Sequence, residues 1–103
     1  MSRVKLGLLS EIPRQGSRVI NTTKGEIALF RSLNDEVFAL DNRCPHKGGP
    51  LSQGIVHGKR ITCPLHNWVI SLETGQAVAP DVGCVHKYEV LEEQGMLFLE
   101  VNV

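Results

Sequence analysis

The sequence predicts an all-β fold: an antiparallel β-sandwich with two loops inserted as a subdomain at one end. Three observations predict it. Apolar residues gather in runs of four to six, a strand length, with turn residues between them. No segment shows the i, i+3, i+4, i+7 spacing of an amphipathic helix. Between residues 42 and 68 the strand pattern is twice broken by segments rich in glycine, proline, cysteine and histidine.

Taken in order, residues 8–11 suffice for a single helical turn. Residues 17–20 (SRVI) read as a strand running into the turn residues 21–25 (NTTKG). Residues 26–31 (EIALFR) and 36–40 (EVFAL) are two strands joined across residues 32–35 (SLND), a hairpin. Residues 60–62 (RIT) lead into the second loop and residues 68–71 (WVIS) lead out of it. Residues 87–91 (KYEVL) and 96–101 (MLFLEV) flank residues 92–95 (EEQG) and close the chain as a hairpin. There is no internal repeat and no low-complexity tract, so residues 1–103 are expected to form one domain.

The two inserted loops, about residues 43–51 and 63–68, carry the chemistry. Cys44 and His46 form C-x-H, sixteen residues follow, and Cys63 and His66 form C-x-x-H. Each loop supplies one thiolate and one imidazole. Two cysteines and two histidines are the ligand set of a Rieske [2Fe–2S] centre, in which histidines replace two cysteines on one iron. Gly48, Gly49 and Pro50 after the first pair, and Pro64 inside the second, suit tight loops. Glycine there lets backbone N–H groups approach a cluster sulfide. The rival is structural zinc, which also takes two cysteines and two histidines. Zinc fingers usually pair like with like, whereas each half here mixes the two ligand types.

Residues 42–54 (NRCPHKGGPLSQG) resemble the first cluster loop of the Rieske family. Residues 63–68 (CPLHNW), running into 71–75 (SLETG), resemble the second loop and the turn after it. Residues 78–81 (VAPD) resemble the third, proline-bearing loop that covers the cluster. More narrowly, these stretches and residues 79–90 (APDVGCVHKYEV) are similar to the small-subunit family of assimilatory NAD(P)H-dependent nitrite reductases. Some members of that subunit family lack the ligands; this chain has all four. The resemblance implies one [2Fe–2S] cluster on Cys44, His46, Cys63 and His66, with Lys47, Gly48, Gly49, Leu65, Asn67, Trp68 and Pro80 around it. It also implies a large partner subunit carrying FAD, a [4Fe–4S] cluster and sirohaem, which reduces nitrite to ammonia with electrons from NADH or NADPH. An alternative is a Rieske ferredoxin delivering electrons to an aromatic-ring-hydroxylating dioxygenase. A second alternative is a zinc-bound or metal-free interaction module.

High-potential members of the family carry a disulfide between the two loops and a hydroxyl donor two residues after the second histidine. The corresponding positions here hold Gly49, Leu65 and Trp68. Fewer hydrogen bonds to sulfur stabilise the reduced cluster less, so a low reduction potential is expected.

Eleven basic and eleven acidic side chains balance overall but not locally. Residues 42–72 contain no Asp or Glu and four basic residues: Arg43, Lys47, Lys59 and Arg60. A basic rim of this kind would steer an acidic partner to the cluster. The basic charge is too modest and the aromatics too few for nucleic-acid binding. There is no apolar run of about 18 residues, so no membrane span is expected. The compartment expected is the cytoplasm, where thiols stay reduced. The third cysteine, Cys84, reads as a small buried hydrophobe. His57 reads as an exposed turn residue, His86 as exposed or structural, and Trp68 as a core residue. No paired carboxylates or nucleophile–base pair suggest catalysis by this chain.

Overall fold

The computed structural model describes residues 2–22, 25–43, 49–64, 67–78 and 83–101. Of the residues singled out above, Cys44, His46, Lys47, Gly48, Leu65, His66 and Pro80 lie outside the described residues. The described residues form strands β1 (Ser2–Leu8), β2 (Ser17–Thr22), β3 (Gly25–Arg31), β4 (Val37–Asp41), β5 (Ile55–His57), β6 (Arg60–Thr62), β7 (Val69–Ser71), β8 (Lys87–Glu93) and β9 (Met96–Val101). Two short 3-10 turns, Leu9–Glu11 and Leu51–Gln53, complete the list. Six strands hydrogen-bond in the order β1-β9-β8-β4-β3-β2, and a second sheet has the order β5-β6-β7. All neighbouring pairs are antiparallel. The all-β prediction and the inserted loop subdomain, centred on the small sheet, are both found.

The run Ile27-Ala28-Leu29-Phe30 explains how the layers stack. Successive strand side chains point to opposite faces, yet all four are buried. Ile27 and Leu29 join Leu6, Ile12, Ala39, Leu97 and Leu99 in one core. Ala28 and Phe30 join Leu40, Leu51, Val56, Ile61, Cys63, Ile70, Leu72 and Val85 in the other. The hairpin of β3 and β4 is therefore a wall shared by two cores. Strands β1 and β9 cover one face, and the small sheet with its loops covers the other.

Two strands were not legible in the sequence. In β1 the one buried side chain described is Leu6, and the register with β9 shifts between Lys5 and Gly7. A strand with a bulge and a single inward apolar residue offers no alternation to read. In β5 only Val56 faces inward, so residues 55–57 resemble a turn. The closing hairpin, by contrast, was signalled by Gln94-Gly95. Both have positive φ, 52° and 83°, between the paired residues Glu93 and Met96. This is the two-residue turn that matches strand twist.

Arg31 ties the far end of this wall together. Its guanidinium donates to the carbonyls of Leu9 (3.3 Å) and Ile12 (2.7 Å) and to Asp35 (2.8 Å). The Arg31 hydrogen bond, helped by Arg14, holds the Asp35 carboxyl below its ordinary range. Arg31→Met removes the donor of the part-buried Ile12 carbonyl and breaks the link to Asp35, while Leu9 keeps the Ile12 N–H. It is expected to lower unfolding free energy by about 2 kcal/mol, measured by urea denaturation; an unchanged midpoint would contradict this.

Candidate metal centre

Three chain segments meet at one end of the small sheet. Thr62, the last residue of β6, pairs with Ile55 on one side and Val69 on the other. At Ile55 the chain arrives from the first loop. After Thr62 it enters the second loop, and at Val69 it returns. The Val69 carbonyl accepts the Val78 N–H at 2.8 Å, and the Ala77 N–H donates to Gly83 at 2.9 Å. Val78, the last described residue before 79–82, is therefore tied to the same end. Among the described residues, Ile55, Cys63, Val69 and Val78 thus gather about Thr62.

Cys63 is the one sequence-predicted ligand among the described residues. Its side chain is 1% exposed and lies in the core with Leu51, Ile61 and Leu72. Leu51 follows the first loop and Cys63 opens the second, so the two loops share one apolar floor. A buried thiol can serve as a metal ligand because a coordinated cation removes its proton. The donor chemistry therefore fits a metal group held between the loops. The Cys63 N–H donates to the Trp68 carbonyl at 2.6 Å. That bond extends the β6–β7 ladder by one pair. Asn67, just before Trp68, has φ +59°, the left-handed region that asparagine tolerates. Trp68 is half-buried and packs against the Cys63 core, as its area suggested. Gly49 is buried.

The entry to the first loop is held by groups that sequence reasoning missed. Tyr88 donates to Asp41 Oδ1 at 2.6 Å. Burial and that carboxylate push the Tyr88 hydroxyl up to about 12. Asn42 donates to Glu26 Oε1 at 3.1 Å and accepts the Ser52 N–H at 2.8 Å. Ser17 Oγ donates to the Ser52 carbonyl at 2.6 Å. The pairings of β4 with β3 and β8 and of β2 with β3 bring these residues together, so no local sequence signal announced them.

The basic rim is smaller than expected. Lys59 lies 3.6 Å from Glu36 and 3.7 Å from Glu73, which neutralise it. Arg60 pairs with His57 at the opposite end of β6 from Cys63. Both line an open groove of about 490 Å3 with His57, Ser71, Glu73 and Val78, on the strands rather than at the loops. Among the described residues, Arg43 alone of the four stands beside a cluster loop. His57 is exposed as expected and bonded to Thr62 Oγ1 at 2.6 Å. His86 is exposed and stacks edge-on against Tyr88. Cys84 corrects the expectation of burial: it is exposed. Its bridge to Gln76 places it on the margin of the small sheet rather than inside a core.

Comparison with known proteins agrees with this geometry. The sequence profile of the Rieske [2Fe-2S] domain matches residues 2–95. The 3-phenylpropionate/cinnamic acid dioxygenase ferredoxin subunit of Photorhabdus laumondii is 32% identical, over 99% of this chain and 97% of that protein. Among solved structures, a putative NADH-dependent nitrite reductase small subunit from Mycobacterium tuberculosis superimposes with a TM-score of 0.87 at 21% identity, covering 99% of this chain and 97% of that one. The ferredoxin of carbazole 1,9a-dioxygenase from Nocardioides aromaticivorans gives 0.86 at 24%, covering 96% and 97%. At those identities the two structures share the fold. In several other relatives the matched region is a quarter or less of a longer protein. Among the described residues, no helix is long and apolar enough to cross a membrane. With its profile match nearly end to end and a full-length relative at 32% identity, the chain belongs to the Rieske [2Fe-2S] domain family, electron-transfer domains that carry one [2Fe-2S] cluster.

Proposed function

We propose that Cys44 and Cys63 hold one iron of the cluster, that His46 and His66 hold the other, and that the chain is the electron-transfer small subunit of a cytoplasmic NAD(P)H-dependent nitrite reductase. The observation that carries the electron-transfer reading is the match of residues 2–95 to the Rieske [2Fe-2S] domain, with Cys63 buried beside Leu51 in one apolar floor. When bound, the cluster supplies one-electron storage. The chain's own residues enclose and insulate it: Leu51, Ile61 and Leu72 keep water from Cys63, and Trp68 packs over the same core. Nitrite chemistry is assigned to the large partner with FAD, [4Fe–4S] and sirohaem. That assignment is supported by the resemblance of residues 63–68 and 79–90 to the nitrite reductase subunit family. The second reading, a ferredoxin feeding an aromatic-ring dioxygenase, is favoured by the 32% identity to the Photorhabdus ferredoxin subunit.

Native co-purification from nitrate-grown host cells separates the two. A large partner with sirohaem and flavin bands, and nitrite-dependent NAD(P)H oxidation, is the expected result. A flavin reductase or terminal oxygenase in its place would transfer the chain to the ferredoxin class. In either case the midpoint potential is expected at the low end of the Rieske range, about −150 mV or below. Trp68 offers no hydroxyl to a cluster sulfur, and Gly49 and Leu65 leave no disulfide. Protein-film voltammetry measures the potential; a value above zero contradicts the assignment of these three positions.

A further inference from the structure

We infer that Asn42 is a positioning residue for the cluster: a side-chain clamp that fixes the span of the first ligand loop. The inference rests on the assignment of Cys44 and His46 as ligands, and concerns what holds them in place. The second loop is closed by backbone, through the Cys63 N–H and the Trp68 carbonyl. Residues 42–52 have no ladder of this kind among the described residues. Their two ends are joined by Asn42 Oδ1, which accepts the Ser52 N–H at 2.8 Å.

The clamp is anchored on both sides. The Asn42 backbone N–H donates to the Glu26 carbonyl at 3.0 Å, and Nδ2 donates to Glu26 Oε1 at 3.1 Å. The amide orientation is fixed by its partners, since an N–H needs the oxygen and a carboxylate needs the NH2. On the other side, Ser17 Oγ donates to the Ser52 carbonyl, so the Ser52 peptide is held from β2 and from Asn42 together. One short polar side chain therefore couples the start of β3, the end of β4 and the exit of the first loop. Without it the loop ends separate, and the entropy of closing the loop falls on the metal–ligand bonds.

The test exchanges donor and acceptor. Wild type, Asn42→Ala, Asn42→Asp and the pair Asn42→Asp with Glu26→Gln are loaded with cluster. Iron release to EDTA and the EPR line shape of the reduced protein are then recorded. Asn42→Ala is expected to release iron about tenfold faster, the worth of one such hydrogen bond, with a broadened signal. Asn42→Asp keeps the Ser52 bond but sets two carboxylates face to face, and is expected to fall between. In the pair, the amide introduced at position 26 donates to the carboxylate introduced at position 42. The chain's net charge is unchanged, and both line shape and release rate return toward wild type. Arg31→Met, which loosens the far end of β3, is the stability control and is expected to leave both readouts alone. Wild-type release from Asn42→Ala, equal effects of Asn42→Ala and Arg31→Met, or failure of the exchanged pair to restore the line shape would each overturn the clamp. Full cluster retention by Cys44→Ser would overturn the ligand assignment and the clamp with it.

Discussion

Cys63→Ser is expected to abolish the red-brown colour of the protein and the rhombic EPR signal of its reduced form, with iron falling to roughly a tenth of wild type. Serine replaces a soft thiolate by a hydroxyl that ionises far less readily, and soft ligands select iron–sulfur chemistry. The site adds a second cost. Cys63 is 1% exposed among Leu51, Ile61 and Leu72, and moving a more polar hydroxyl into that apolar floor costs about 1 kcal/mol or more. The protein should nevertheless fold. The core of Leu6, Ile12, Ile27, Leu29, Ala39, Leu97 and Leu99 contains no residue of the two ligand loops, so far-UV circular dichroism should keep its β signature while the melting temperature drops. Cys84→Ser is the matched control. That thiol is exposed and outside both ligand loops, and its replacement is expected to leave colour and iron content unchanged. A coloured, iron-replete Cys63→Ser protein would remove Cys63 from the ligand set.

The sequence carried the chemistry more clearly than the architecture that presents it. The proposed ligand pattern is local: C-x-H and C-x-x-H need no knowledge of the fold. The strands with two or more inward apolar residues, β3, β4 and β9, were legible for the same reason. Strand β5 shows one buried residue, Val56, too little for a pattern, and β1, with its bulge, draws its stability from β9 at the other end of the chain. A window of residues cannot show that. The electrostatic expectation failed in the same way. Lys59 belongs to an acid-free stretch of sequence, yet Glu36, which neutralises it, comes from the turn between β3 and β4. Cys84 shows the limit of composition rules. Cysteines are usually buried, but the buried positions of its segment are taken by Val85 and Gly75, which leaves Cys84 facing out. Asn42 stands at the head of the first loop motif, but its bonds to Glu26 and Ser52 exist only once β3 and β4 are paired.

Gly54→Ala is expected to be among the most damaging single-methyl additions available to this chain, costing about 3 kcal/mol. The reason is space, since the Gly54 φ of −81° is open to any residue. A Cβ at this position runs into the carbonyl oxygen of Thr62 and approaches Ile61 Cδ1. Thr62 is held in the ladder on both sides, by Ile55 and Val69, so its carbonyl has nowhere to move. Relief must come from the other partner: residues 51–54 lift away, Ile55 leaves its pairing with Thr62, and Leu51 withdraws from the floor it shares with Cys63. Stability and cluster retention should therefore fall together, read as the urea midpoint and the iron-to-protein ratio. Gly95→Ala separates steric from conformational cost. Nothing lies within 4 Å of its added Cβ, but its φ is +83°. It should lose about 1 kcal/mol and no iron, because the β8–β9 turn it occupies belongs to the six-stranded sheet, whereas Thr62 lies in the three-stranded one. If Gly54→Ala instead matches wild type in both readouts, the close approach at Thr62 does not set the distance between the two ligand loops. The shared floor of Leu51 and Cys63 would then have to be held by side-chain packing alone.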